Sequence, residues 1–261
     1  MTDKVLTEQS GEIARIIFNQ PEKRNAVSLE MWEAVETAVT RFAADDSVRI
    51  LILSGAGGKA FVSGADISKF ETERASTEAV AHYNATTKRV YDMVEGFPKP
   101  TIAQIDGFCI GGGVALSLCC DLRICGEGSN FAVPAAKLGL GYGFSGLKRL
   151  VDVVGPAFAK EIFFTARRFS AEEARTMGLV NRVVADGEVS DAAEETARMI
   201  AANAPLTLES VKYIVGQTVL PASERDLAEC AARVKACFDS DDYVEGRRAF
   251  LEKRKPNFVG A

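Results

Sequence analysis

The residues best suited to chemistry stand in one stretch, Thr101 to Asp121, TIAQIDGFCIGGGVALSLCCD. A β-rich run, Thr101 to Ile105, meets a tight Asp106-Gly107 turn, and Gly111, Gly112 and Gly113 then open an apolar segment with helical spacing. Without Cβ atoms these glycines free the backbone for otherwise forbidden angles and let a ligand touch the peptide itself. Where a strand becomes a helix, the first amides lack intrahelical acceptors, and the positive helix end favours a negative or polarised oxygen. The pattern reads either as an oxyanion hole or anion site, or as close helix packing and a plain turn.

Other candidates are fewer. Gly139, Gly141, Gly143 and Gly146 make Leu138 to Gly146, LGLGYGFSG, a bending stretch before a helix expected to begin near Ser145 or Gly146. Within it Tyr142 has a polar side chain long enough to reach a substrate; aromatic packing is its other reading. The sole histidine, His82, lies among Ala79, Val80 and Ala81 and reads as surface or core filler. Cys109, Cys119, Cys120, Cys125, Cys230 and Cys237 form no zinc pattern, since Cys119 and Cys120 are adjacent and no histidine is near; four sit in the apolar centre as small hydrophobes. No metal site is expected. Asp66 and Asp106 fit turn or cap positions, and Asp121 ends a helix before a strand.

Composition narrows the classes. A chain of 261 residues with 47% hydrophobic content builds one large core, or two lobes at most, and is no small disordered binder. A net charge of −5 with scattered basic residues argues against duplex nucleic acid as a partner. No apolar run reaches the roughly eighteen residues of a membrane span, and MTDKVLTEQS lacks the apolar core of a signal peptide. The expectation is a cytoplasmic protein without a membrane partner.

The elements that must position these residues follow from periodicity. Glu12 to Phe18 reads as a strand, and Ser28 as the cap of a helix carrying Leu29, Trp32, Val35, Val39 and Phe42 at threes and fours. Val48 to Leu53 and Ala60 to Val62 read as strands, the second running into Ser63-Gly64-Ala65-Asp66. Glu71 to Val94 reads as a mobile helix or lid. Short strands follow at Leu122 to Cys125 and Phe131 to Val133. Ser170 and Glu173 spell a capping box before a helix ended by Gly178. Helices are expected at Val189 to Ala202, Leu206 to Val215, Ala222 to Phe238 and Asp241 to Lys253. The fold class is thus α/β: residues 1–200 form a core of strands and helices, and 201–261 a helical lobe whose amphipathic faces need the core or another subunit to cover.

SGADI at Ser63 to Ile67, IGGGVAL at Ile110 to Leu116, FTARRFSAEEARTMGLVNRVV at Phe164 to Val184 and AFLEKRKPNF at Ala249 to Phe258 together resemble the enoyl-CoA hydratase/isomerase family, the crotonase superfamily. The resemblance runs from about Val5 to the C-terminus. It implies a repeated ββα spiral with a C-terminal helical trimerisation lobe, assembled as a homotrimer or dimer of trimers. It also implies an acyl-CoA thioester as substrate, with no cofactor beyond the CoA moiety. The family motif places on Ala65 and Gly112 the two amides that stabilise the enolate oxygen, where fixed dipoles act strongly because water is excluded. Positions lining the CoA moiety fall on Glu22, Lys23 and Arg24, on Ala65, Asp66 and Ile67, and on Phe250 and Lys253. As a charge Lys253 suits a phosphate, and a solvated lysine is its other reading.

Departures from the family bear on the reaction. Hydratases of this resemblance carry two glutamates, where this chain has Ala115 and Ala135, and a methyl group transfers no proton. Their loop reads Ile-Pro-Gly-Ala-Gly-Gly where this one reads Gly141-Tyr142-Gly143-Phe144-Ser145-Gly146. LGLGYGFSGLKRL is similar instead to the loop of methylmalonyl-CoA decarboxylase and its relatives, which have a tyrosine at the position of Tyr142 but a histidine where this chain has Ala65. Losing CO2 from an α-carboxyacyl thioester yields the enolate without a base. The alternatives are a hydratase/isomerase using another acid–base group, such as Tyr142 or a lid carboxylate, and a catalytically silent CoA-binding protein.

Overall fold

A computed structural model describes residues 2–69, 73 and 75–261. The chain repeats a ββα unit. Strands β1 (Val5–Ser10) and β2 (Ile13–Phe18) precede helix α1 (Leu29–Ala43); β3 (Ile50–Gly55) and β4 (Ala60–Val62) precede α2 (Thr77–Glu95). Then β5 (Thr101–Ile105) and β6 (Phe108–Ile110) lead to α3 (Gly112–Cys119), and β7 (Leu122–Gly126) and β8 (Asn130–Ala132) to α4 (Phe144–Thr165). The elements β9 (Phe169–Ser170), α5 (Ala171–Thr176), β10 (Arg182–Val184) and α6 (Val189–Ala201) close this part. Helices α7 (Pro205–Thr218), α8 (Leu227–Asp239) and α9 (Asp241–Glu252) follow.

Two sheets result. The larger has the order β1-β2-β3-β5-β7-β10 and the smaller β4-β6-β8-β9; among the described residues only β1 with β2 and β8 with β9 pair antiparallel. Strands covered on both faces should be apolar throughout, and β3 and β5 are fully buried along nearly their whole length. The period of two then sorts their side chains. Ile13, Ile50, Ile52, Ile102 and Ile124 meet Val189, Ala193 and Ala197 of α6, while Leu51, Leu53, Ala103 and Ile105 face the main core with Phe18, Phe61 and Phe131. Buried Cys109, Cys119, Cys120 and Cys125 are free thiols whose pKa values burial pushes up. Cysteine thus serves here as a small apolar residue.

Several expectations need correction. Ser28 occupies the cap position of α1, but its buried hydroxyl has no partner among the described residues; the Glu73 carboxylate accepts from Leu29 N instead (3.1 Å). Ala222 to Phe238 is not one helix: a 3-10 turn, Ala222–Glu224, precedes α8, because Asp226 caps a new start by accepting from Glu229 N. Helix α4 starts at Phe144, earlier than expected. The strand after α1 is shifted to Ile50–Gly55, leaving Val48 in the turn before it, where its amide bonds Asp45 O. The capping box stands as read, with both Ser170–Glu173 bonds present. Of the stretch from Glu71 to Val94, residues 71, 72 and 74 lie outside the described residues, and the helix is described over Thr77–Glu95.

Candidate functional site

Three parallel strands of the smaller sheet end on one cavity of about 610 Å³. After β4 come Ser63, Gly64 and Ala65; after β6, Gly111 and Gly112; after β8, Val133, Pro134 and Ala135; all line it. Helix α2 contributes Tyr83, Asn84, Thr87, Lys88 and Tyr91 to the opposite wall, and the glycine-rich loop and α4 contribute Tyr142 and Arg149.

Backbone hydrogen bonds pin both turns next to a free amide. Val27 N donates to Gly64 O (2.8 Å) and Asp66 N to Val27 O (3.0 Å), a bridge that leaves Ala65 N between two engaged groups. Gly111 N donates to Ala132 O (2.8 Å), and Gly111 turns the chain into α3 at φ 56°, a left-handed angle that glycine adopts without strain. Among the described residues neither Ala65 N nor Gly112 N meets an acceptor. Gly112 opens α3, so its amide belongs to the helix end that attracts negative charge. The two turns adjoin, since a methyl built on Gly112 would lie 3.9 Å from Gly64 Cα.

Among the described residues the cavity wall is neutral or cationic. No carboxylate and no imidazole is among the described residues lining it. Ala115 and Ala135 both line it, the first half-buried and the second buried. Tyr142 packs edge-to-face on Phe163 (4.8 Å, 73°), and burial raises its pKa, so the phenol is protonated at neutral pH. It therefore both packs and lines the cavity. Tyr91 donates its hydroxyl to Gly112 O (3.2 Å) and packs edge-to-face on Trp32 (5.4 Å). Arg149 is held to Asp92 (2.7 Å) and Glu95 (2.6 Å), which ties α4 to α2 across the site.

The remaining sequence candidates divide. Ile67 lines the cavity and is largely exposed. Asp66 is buried beside it; burial raises its pKa, but bonds from Lys23 Nζ (2.8 Å) and Ser68 Oγ (2.6 Å) outweigh that and hold it at about 2. Glu22, Lys23 and Arg24 form an exposed turn before α1, with Arg24 over the Phe108 ring (4.8 Å). Phe250 and Lys253 are not brought to this cavity within one chain. Phe250 lines a separate groove on α7–α9, and Lys253 caps α9. His82 is exposed on the outer face of α2.

Tyr91 and Arg149 were not legible as site residues. A signal did exist: Tyr83, Asn84, Thr87, Lys88 and Tyr91 recur at helical spacing as a polar stripe along α2.

A family model described as Enoyl-CoA hydratase/isomerase matches residues 8–261. Crotonyl-CoA hydratase of Syntrophomonas wolfei is 35% identical over 98% of this chain and 98% of its own. Carnitinyl-CoA dehydratase of Salmonella enteritidis is 33% identical over the whole of both chains. The crystal structure of an enoyl-CoA hydratase/carnithine racemase from Magnetospirillum magneticum superimposes with a TM-score of 0.91 at 37% identity, covering 100% of this chain and 97% of the other. The chain belongs to the enoyl-CoA hydratase/isomerase family, the crotonase superfamily of enzymes that process acyl-CoA thioesters. Among the described residues no helix is long and apolar enough to cross a membrane.

Proposed function

We propose that this enzyme decarboxylates an α-carboxyacyl-CoA thioester through an enolate held by the amides of Ala65 and Gly112. One observation carries the reading: the described cavity wall combines two unpaired amides with no carboxylate or imidazole to move a proton from carbon. Cleavage of the C–C bond sends its electron pair into the thioester carbonyl and needs no base. Fixed amide dipoles then meet charge as it develops, worth about 3 to 4 kcal/mol per donor. Tyr142 orients the departing carboxylate, because a neutral phenol binds it without stabilising the ground state as a cation would. Lys23, the Asp66 turn and Ile67 would meet the CoA moiety at the cavity mouth, with Glu22 and Arg24 beside them. The exposed apolar side chains of α7–α9, among them Val215, Phe238 and Leu251, support assembly as a homotrimer or dimer of trimers, in which Phe250 and Lys253 reach a neighbouring copy's site.

The names of the relatives favour a second reading, hydration or dehydration of an enoyl-CoA by another acid–base group. Malonyl-, methylmalonyl- and ethylmalonyl-CoA should be compared with crotonyl-CoA, following CO2 release and hydration separately. The expected result is CO2 release that falls at least about tenfold, or 1.4 kcal/mol, in Tyr142→Phe. Turnover of crotonyl-CoA with no CO2 from any of the three would establish the second reading instead.

A further inference from the structure

The cavity continues past the Gly112 amide along α3. Gly112, Ala115 and Leu118 line it at intervals of three, on one face of that helix, and cover about 9 Å at 1.5 Å per residue. An acyl chain whose carbonyl sits on the Gly112 amide has this face to run along, and Ala115 and Leu118 suit its methylenes. Arg149 stands at the far end. It lines the same cavity, and the Cys119 thiol, next to Leu118, feels its charge together with those of Glu95 and Asp92.

Two of the three guanidinium nitrogens are engaged. Nε donates to Glu95 Oε2 (2.8 Å), and Nη2 donates to Asp92 Oδ1 (2.7 Å) and Glu95 Oε2 (2.6 Å). The two N–H groups on Nη1 have no acceptor among the described residues. Only 11% of the side chain is exposed, so whatever meets Nη1 comes through the cavity. The carboxylates face the other way: Asp92 and Glu95 are half exposed, and neither is among the described residues lining the cavity. Lys88 shares Asp92 and does line it. The ion cluster thus shows the cavity its cationic side.

We propose that Arg149 binds a carboxylate at the far end of the acyl chain, so that the substrate is a thioester whose acyl group ends in an acid. The assignment rests on the thioester placement at Gly112 given above. The span fits a six-carbon chain. Five bonds of extended chain cover about 6 Å, and a charge-assisted hydrogen bond closes about 2.8 Å more. A carboxylate on the α-carbon stops well short of Arg149, so a departing carboxylate and the distal one are held apart.

Saturated thioesters test the site by binding alone. Calorimetry on the intact enzyme should show adipoyl-CoA binding at least about tenfold tighter than hexanoyl-CoA, the return expected of hydrogen bonds to a charged group. Arg149→Met should bring the ratio of the two affinities close to one; loosened packing between α2 and α4 would weaken both ligands and leave the ratio standing. Equal binding by wild type, or a ratio that survives in Arg149→Met, overturns the proposal. Adipamoyl-CoA binding as tightly as adipoyl-CoA would overturn the carboxylate. Should the variant fail to fold, wild type decides by chain length: succinyl-CoA should gain nothing over butyryl-CoA, and a gain equal to that of the longer pair overturns the assignment. The 13C resonance of a labelled thioester carbonyl should move downfield on binding; one that stays at its free value overturns the placement from which the span is measured. None of these ligands can lose CO2 from its α-carbon, so a wild type that decarboxylates no malonyl thioester would fail the reaction proposed above while the affinity ratios still judge this site.

Discussion

Replacing Gly113 by alanine would drive a methyl group into the backbone of β4. A Cβ at Gly113 lies 2.1 Å from Val62 O, 3.0 Å from Val62 C and 3.1 Å from Val62 Cβ. The strand cannot swing aside, because its parallel pairing with β6 fixes it. Restoring an ordinary C···O contact of about 3.3 Å means moving the start of α3 by about 1.2 Å. Overpacking of this kind costs roughly 1 to 3 kcal/mol, and the backbone obstacle puts it at the upper end. Alanine's helix propensity returns at most about 1 kcal/mol. A net loss of about 2 kcal/mol should lower Tm by about 4 to 8 °C. Catalysis should suffer as much, since a misplacement near 1 Å costs about 100-fold, or 2.7 kcal/mol. Gly112→Ala is the control: its methyl meets the Tyr91 hydroxyl at 3.2 Å, the far end of a side chain that can rock by a few tenths of an ångström. That variant should lose less than about 1 kcal/mol. Thermal melts and turnover of the wild-type substrate, measured on both variants, check the pair. A Gly113→Ala enzyme that melts and turns over like wild type would show that close contact between α3 and Val62 of β4 does not hold the two turns in place.

Asp66 gives a pH prediction. Its folded pKa of about 2 lies below the ordinary 3.8, so its stabilisation is complete above about pH 4 and disappears as pH falls toward 2. The gap in unfolding free energy between wild type and Asp66→Asn should be about 2 kcal/mol near pH 6 and close by pH 2; a gap independent of pH in denaturant titrations would contradict the Lys23–Asp66 account. For assembly, sedimentation at micromolar concentration should give a trimer or hexamer, and a stable monomer that still binds CoA fully would exclude the shared-site arrangement.

How much of this was legible depends on how local the cause is. The apolar stripe of α1 and the capping box of α5 are written within one or two turns of chain, and both stand as read. Strand β1 was not read because VLTEQS buries only Val5; it exists through its antiparallel ladder to β2. Three-residue β6 hides between Gly107 and Gly111, and the β4–β6–β8 pairing that reveals it is long-range. Ser28 makes no cap bond, and the acceptor at the helix start, Glu73, bonds Leu29 N from 44 residues further along the chain, beyond the reach of a local reading. At the site, the glycines and Tyr142 announced themselves by spacing, whereas Tyr91 and Arg149 look like ordinary helix residues until α2 and α4 converge.

The parallel run of β4, β6 and β8 also bears on how such an enzyme can change its trade. Each strand keeps its ladder in its own backbone and releases its chemistry into the residues just past its end. Position 135, just past β8, and position 115, within α3, therefore change without touching a sheet hydrogen bond. The traffic is asymmetric. The methyl of buried Ala135 needs no hydrogen-bond partner, whereas a carboxylate there would give up part of its hydration, at a cost unless a partner awaits it. Selection can let a carboxylate go in one step, but regaining it asks for the residue and its support together. Lineages built on this spiral should therefore shed acid–base groups more readily than they recover them.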